Sequence, residues 1–114
     1  ENTITKGINL IEGEVKNIKD LKPDYKCHVG WNNIFLENKN KIFTNINLEC
    51  EFYFDHSYYF QPSFPKNILC KSKYNLEFCS GVIKNNLIGL QFHPEKSHKN
   101  GIMIYKNFYN LFNA

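Results

Sequence analysis

His93 and Glu95 are the two residues whose types and spacing suit joint acid–base chemistry, in the stretch Gly89-Leu90-Gln91-Phe92-His93-Pro94-Glu95-Lys96-Ser97. An imidazole changes charge near neutral pH and can take up and return a proton. A carboxylate against it fixes one tautomer and stabilises the protonated ring, as the third group does behind a nucleophile and its base. The element that must position the pair is a short strand. Asn86 to Phe92 is brief, apolar and bounded by turn residues, which suits a buried strand. Pro94 lacks an N–H and forces the residue before it to be extended, so the strand ends near His93. Residues two apart in an extended segment point the same way, which predicts Glu95 beside His93. Read alone, the pair is more often a surface His next to a solvated Glu, because His and Glu two apart are common.

The strongest strand pattern is Glu51 to Phe60. Phe52, Phe54, His56, Tyr58 and Phe60 alternate with Tyr53, Asp55, Ser57 and Tyr59. Aromatics on both faces predict a central strand covered on each side. His56 falls on the apolar face, where the residues alone favour a satisfied core histidine.

Around these two stretches the reading is coarser. Glu14 to Ile18 and Tyr25 to Val29 are expected strands, with Lys19 to Asp24 a connecting loop and Gly30-Trp31-Asn32 a bend. Residues 1–6 read as loop, and Gly7 to Leu10 as a short apolar segment. Asn33 to Leu36 continues extended, Asn38 to Asn47 carries one or two helical turns, and Gln61 to Pro65 is a loop. Asn67 to Lys73 is a strand, and Glu77 to Ile83 with Leu87 to Phe92 forms a hairpin around Lys84-Asn85-Asn86, where Asn tolerates a positive φ. After His98 the period changes to three and four. Ile102, Tyr105, Phe108, Tyr109 and Phe112 make one stripe on a helix from about Lys99 to Asn113, predicted to be its core face.

Composition excludes several function classes. The 114 residues suffice for one core, and 42% hydrophobic with 16% aromatic residues argues for a packed interior. The net charge is +3, but all fourteen basic residues are dispersed lysines. Without Arg there is no bidentate fork for bases or phosphates, so nucleic acid is excluded as partner. No stretch has the length of a transmembrane helix and the start has no signal-peptide pattern. Cys27, Cys50, Cys70 and Cys79 lie 23, 20 and 9 residues apart, with no Cys-x-x-Cys. The histidines fall into two conceivable pairs, His28 with His56 and His93 with His98, neither at metal-ligand spacing. No metal or other cofactor is expected, and the cysteines read as small hydrophobes in the reducing cytoplasm.

The stretch Gly89 to Ser97 resembles the C-terminal signature of class I, triad-type glutamine amidotransferases. Three further segments, Gly7 to Val15, Cys27-His28-Val29-Gly30-Trp31-Asn32 and Tyr53-Phe54-Asp55-His56-Ser57-Tyr58-Tyr59, are similar, in order, to the glutaminase subunit of imidazole glycerol phosphate synthase. The resemblance covers nearly the whole chain. It implies an α/β fold, a mixed sheet with flanking helices, and release of ammonia from glutamine for a cyclase partner in a heterodimer serving histidine biosynthesis. It makes His93 the general base and Glu95 its orienter, places His56, Ser57 and Tyr58 in the glutamine pocket, and turns Trp31, Asn32, Tyr53 and Lys96 toward the cyclase.

The same comparison marks departures. The nucleophilic Cys of that family lies in a Gly-x-Cys-x-Gly-x-Gln turn, and no Cys here has that context. Residues 1–114 are therefore read as the C-terminal portion of one amidotransferase domain, inactive alone. Asp55 replaces a usually apolar residue, Cys27 a usual Pro and His98 a usual Gln. The last two point toward a paralogue, such as a subunit for amidated bacterial surface sugars. A non-catalytic partner-binding module is the remaining alternative.

Overall fold

In a computed structural model, residues 11–36, 40–47, 49 and 51–113 are described; the segment expected at 1–10 and Cys50 lie outside them. Eight strands and one helix follow in order: β1 (Gly13–Asn17), β2 (His28–Asn32), β3 (Phe35–Leu36), β4 (Phe52–His56), β5 (Tyr58–Pro62), β6 (Ile68–Tyr74), β7 (Leu76–Lys84), β8 (Leu87–Leu90) and α1 (His98–Asn113). Short 3-10 turns sit at Ile18–Asp20, Lys41–Phe43, Pro65–Asn67 and Pro94–Lys96. The α/β class holds. Among the described residues the strands pair as β1-β5, β2-β4 and β3-β6-β7-β8, each antiparallel. The hairpin β7-β8 closes through Asn85 at φ 56°, the positive φ its turn predicts.

One core joins these sheets. Ile18, Ile42, Phe52, Phe54, Cys70 and Phe92 are almost entirely sequestered in it. Phe52 and Phe92 rings lie 4.5 Å apart, so the strand before His93 is packed directly onto β4. Aromatic contact of this kind adds to plain area burial.

Four local expectations are corrected. The strand foreseen from Glu51 to Phe60 breaks at Ser57 into β4 and β5, which pair with different partners. Buried positions run Phe52, Phe54, His56 and then Tyr59, so the inward face changes parity across Ser57. β4 is also not covered on both sides, since Tyr53 is half-buried and Asp55 exposed. An acid at position 55 consequently has no burial cost to meet. Trp31 and Asn32 belong to β2 rather than to a bend, while Tyr25–Cys27 precede it outside any strand. The irregularity foreseen at Gly30 survives as a φ of 127° inside β2, a conformation that favours Gly.

The helix is where it was expected but rotated. Gly101, Ile104 and Asn107 face inward, whereas Ile102, Tyr105, Phe108 and Tyr109 are exposed; the Phe112 side chain lies outside what is described. Backbone proximity decides this. A Cβ on Gly101 would overlap the carbonyl of Pro94, so α1 approaches the Pro94–Lys96 turn more closely than any aromatic face could. Asn107 is buried because its amide donates to the carbonyls of Ile42 and Thr44, both at 2.8 Å, satisfying groups at the end of the 3-10 turn. No helix among the described residues is long and apolar enough to cross a membrane.

Gly101→Ala is predicted to destabilise the fold. Alanine is the better helix former by about 1 kcal/mol, but overlap with backbone cannot be relieved by a side-chain rotation, and such overpacking costs about 1–3 kcal/mol. The expected result is a lower denaturant midpoint at unchanged slope. An equal or higher midpoint would show that the helix does not press on the Pro94 turn.

Candidate active site

β8 ends at Leu90, the chain bends at Gln91 and Phe92, and His93 (φ −102°, ψ 99°) is extended just before the 3-10 helix Pro94–Lys96. This short path is tied at several points. Gln91 N–H donates to Ser80 O at 2.9 Å and His93 N–H to Tyr53 O at 2.9 Å. Ser97, itself buried, uses one hydroxyl twice: it accepts from Tyr53 N–H at 3.0 Å and donates to His93 O at 2.7 Å. The His93 backbone is thereby fastened to β4.

His93 Nδ1 lies 2.9 Å from Glu95 Oε2. The predicted pair meets, though not as an extended segment brings it about. Glu95 stands in the 3-10 turn, and the carboxylate reaches back to the ring. Its own backbone N–H and then the His93 imidazole hold the exposed Glu95 carboxyl below its ordinary range. With Nδ1–H given to Glu95, Nε2 is the nitrogen left to accept a proton from a substrate or nucleophile. The imidazole is about one-third exposed, so it is within reach of a ligand.

The partner-facing candidates divide. Trp31 and Tyr53 are directly opposite in the β2-β4 register, with rings 5.5 Å apart. Lys96 Nζ stands 5.6 Å over the Tyr53 ring, and His98, at φ 53°, stacks on Trp31 at 5.3 Å. Trp31 is 44% exposed. These four side chains form one surface beside His93, whose ring is 6.5 Å from Tyr53. Asn32 does not join them. Its amide turns to the other side of β2, donating to Lys73 O at 2.8 Å and to His28 Nε2 at 3.3 Å, as alternation along a strand requires.

His56 is buried at the end of β4, with Nδ1 2.8 Å from Tyr58 O and Nε2 2.9 Å from His28 Nδ1. Ser57 is exposed and Tyr58 half-buried at the junction of β4 and β5, so the triplet foreseen as a pocket wall contributes one buried ring and two accessible residues. Burial, and behind it the neighbouring His56, pulls the His28 imidazole down to about 4. Burial likewise lowers His56, against the raising effect of its bond to Tyr58 O and of Asp55. Cys70 and Cys79 are buried free thiols, pushed up to about 12 and about 11, chiefly by burial. They are inert at neutral pH. Cys27 is a free thiol too, but exposed rather than packed as a small hydrophobe. Among the described residues no group of three or more His, Cys, Asp or Glu side chains is placed to hold a metal ion.

Three residues with no individual role in the sequence reading prove to matter here. Ser97 and His98 lay inside or beside the recognised motif, and the pairing of His28 with His56 had been weighed only as a metal site. A candidate strand with a His in phase with its buried positions was the available signal.

The glutamine amidotransferase class-I family matches residues 10–111. The chain belongs to that family. It is 38% identical over 109 residues to imidazole glycerol phosphate synthase subunit HisH of Acinetobacter baylyi, covering 95% of this chain and 53% of the relative. It is 41% identical over 112 residues to the HisH subunit of Pelagibacter ubique, covering 97% and 54%. HisH 2 of Pseudomonas aeruginosa is 44% identical over 84 residues, covering 74% and 42%. The chain thus spans about half the length of the curated relatives it matches.

The His28 shift carries a pH prediction. The unfolded imidazole titrates at 6.5 and the folded one at about 4. Between those values the unfolded state binds a proton that the folded state does not, so stability is full above about 6.5 and falls as the pH drops. The loss from this one group approaches about 3 kcal/mol by pH 4. Denaturant titrations at pH 7 and pH 4.5 should show a smaller difference in His28→Leu than in the parent. An equal difference would place a charged His28 in the folded core.

Proposed function

We propose that the chain supplies the general base, its orienting carboxylate and part of the substrate pocket of a glutaminase. That glutaminase delivers ammonia to a synthase partner making imidazole glycerol phosphate in histidine biosynthesis. The observation that carries this reading is the 2.9 Å contact of His93 Nδ1 with Glu95, made by an amidotransferase-family chain with Nε2 left for proton transfer. Residues 1–114 are taken as the C-terminal portion of one amidotransferase domain. The nucleophilic thiol is assigned to a Cys in a Gly-flanked turn outside these residues, since Cys70 and Cys79 are buried and protonated and neither Cys27 nor Cys50 has a Gly beside it.

The thiol sulfur attacks the amide carbon of glutamine as His93 Nε2 takes its proton. The tetrahedral intermediate collapses to a thioester when His93 returns that proton to the leaving nitrogen as ammonia. Water, deprotonated by the same imidazole, then cleaves the thioester to glutamate and free thiol. Glu95 balances the charge on His93 in both halves. Ser57 and Tyr58, with the backbone of His56, hold the amino-acid portion of glutamine.

Trp31, Tyr53 and Lys96 meet the cyclase, and Asn32 contributes from the opposite side of β2 by bracing that strand. Their clustering next to His93 supports ammonia passing directly between the subunits in a heterodimer, before water protonates it. The similarity to HisH subunits of imidazole glycerol phosphate synthase favours the histidine pathway over amidation of surface sugars. The free thiols of Cys27, Cys70 and Cys79 and this biosynthetic role support a cytoplasmic location.

In the complete amidotransferase with its synthase, His93→Ala should lower glutamine turnover by at least ~10²-fold, the typical contribution of a positioned base, while partner binding persists. Residues 1–114 alone should release no ammonia. Turnover near the parent level in His93→Ala would overturn the base assignment. Absent turnover in the complete parent complex would leave the non-catalytic binding module as the function.

A further inference from the structure

The buried His28–His56 contact is part of a longer chain of hydrogen bonds whose every proton can be placed. Tyr58 O only accepts, so His56 Nδ1 donates to it across 2.8 Å. His56 Nε2 therefore carries a lone pair, and His28 Nδ1, 2.9 Å away, is the donor to it. That leaves a lone pair on His28 Nε2, which faces Asn32 Nδ2 at 3.3 Å. The same amide gives its second hydrogen to Lys73 O at 2.8 Å, while Asn32 Oδ1 accepts the Asn33 N–H at 2.7 Å. A carbonyl at each end prevents the chain from being reversed. An additional proton on either ring would set two donors against each other, so both imidazoles are neutral.

The first ring in this chain is also the most confined. His28 is stacked on Phe54 at 4.7 Å and on Tyr74 at 4.3 Å, with Phe78 edge-on at 5.8 Å. A ring held on three sides cannot swing to offer its other nitrogen. At the far end the chain terminates on the backbone of the β4–β5 junction, which a second bond, Ile18 N–H to Ser57 O at 3.0 Å, holds from the β1 side. The junction is where Ser57 is exposed and Tyr58 half-buried.

We propose that His28 is a positioning residue for the glutamine pocket: by donating from Nδ1 it fixes His56 as the Nδ1–H tautomer, which grips the Tyr58 carbonyl and sets the Ser57–Tyr58 turn. This rests on the reading of that turn as a substrate wall. His28 touches no reacting atom. Its influence falls on how well the pocket is formed before glutamine enters, and so on binding more than on the chemical step.

The experiment uses the complete amidotransferase with its synthase. Against the parent, His28→Leu should raise KM for glutamine about ten-fold, the worth of one buried hydrogen bond, with kcat within about three-fold. His28→Asn, whose Nδ2 stands near the lost imidazole Nδ1, should restore KM to within about three-fold of the parent. In the ¹⁵N spectrum of the parent, a scalar coupling across the His28 Nδ1–H···Nε2 His56 bond and an unprotonated His56 Nε2 are expected; this holds whether or not the Leu variant folds. An unchanged KM in a folded His28→Leu, a loss confined to kcat, failure of the Asn variant to rescue a folded protein, or a protonated His56 Nε2 in the parent would each overturn the inference. The glutaminase reading fails separately, through a His93→Ala variant that keeps its turnover.

Discussion

Everything near the His93–Glu95 pair hangs on a two-ended tie between β4 and the turn that follows β8. The Tyr53 peptide offers its carbonyl to His93 and its N–H to the Ser97 hydroxyl, and that hydroxyl then reaches the His93 carbonyl. Three hydrogen bonds thus close a small ring around one residue of β4. Each is modest in net terms, about 1 kcal/mol, but an orphaned buried partner costs more than the bond contributes. The geometry is self-enforcing for that reason. Phe92 packed on Phe52 and Phe54 supplies the apolar half of the same attachment.

Because β4 holds the His93–Ser97 turn, whatever orients β4 orients His93. Its antiparallel partner β2 brings Trp31 opposite Tyr53 on one side of the ribbon and His28 opposite His56 on the other. The first side is solvent-accessible and aromatic, flanked by Lys96 and His98; the second is a neutral, fully partnered polar network inside the core. One ribbon therefore serves three tasks: presenting an aromatic surface, bracing the Ser57–Tyr58 turn, and fixing His93. α1 completes the support from behind, pressed so closely on Pro94 that position 101 has no room for a side chain.

Much of this was legible in the residues, and the failures have identifiable physical causes. Strand periodicity found β4, β6 and the β7-β8 hairpin because their apolar residues carry the signal directly. Pro94 marked where the 3-10 turn begins after the extended His93, although β8 itself ends earlier, at Leu90. The His93–Glu95 contact was foreseen for the wrong geometrical reason, since the 3-10 turn and the alternation of a strand both bring i and i+2 within reach when a side chain is as long as Glu. The helix face was misread because aromatic content was taken as a proxy for burial. The buried face is instead the small one, chosen by backbone proximity and by the carbonyls Asn107 must satisfy. His28 was out of reach of local reasoning: its partner is 28 positions away, and only the β2-β4 register brings them together.

The change of parity at Ser57 sets a rule for how the lineage of this chain can vary in length. His56 and Tyr59 are both inward-facing and lie on strands with separate partners, so the two pairings clamp the spacing between them from both sides. As long as the chain still breaks at Ser57, removing or adding one residue there would carry either the His56 ring or the Tyr59 ring out to solvent. Length changes at this junction therefore survive only in twos, as looped-out pairs. An alignment gap of one residue between His56 and Tyr59 would identify a relative that had given up either the histidine pair or the β1-β5 ribbon.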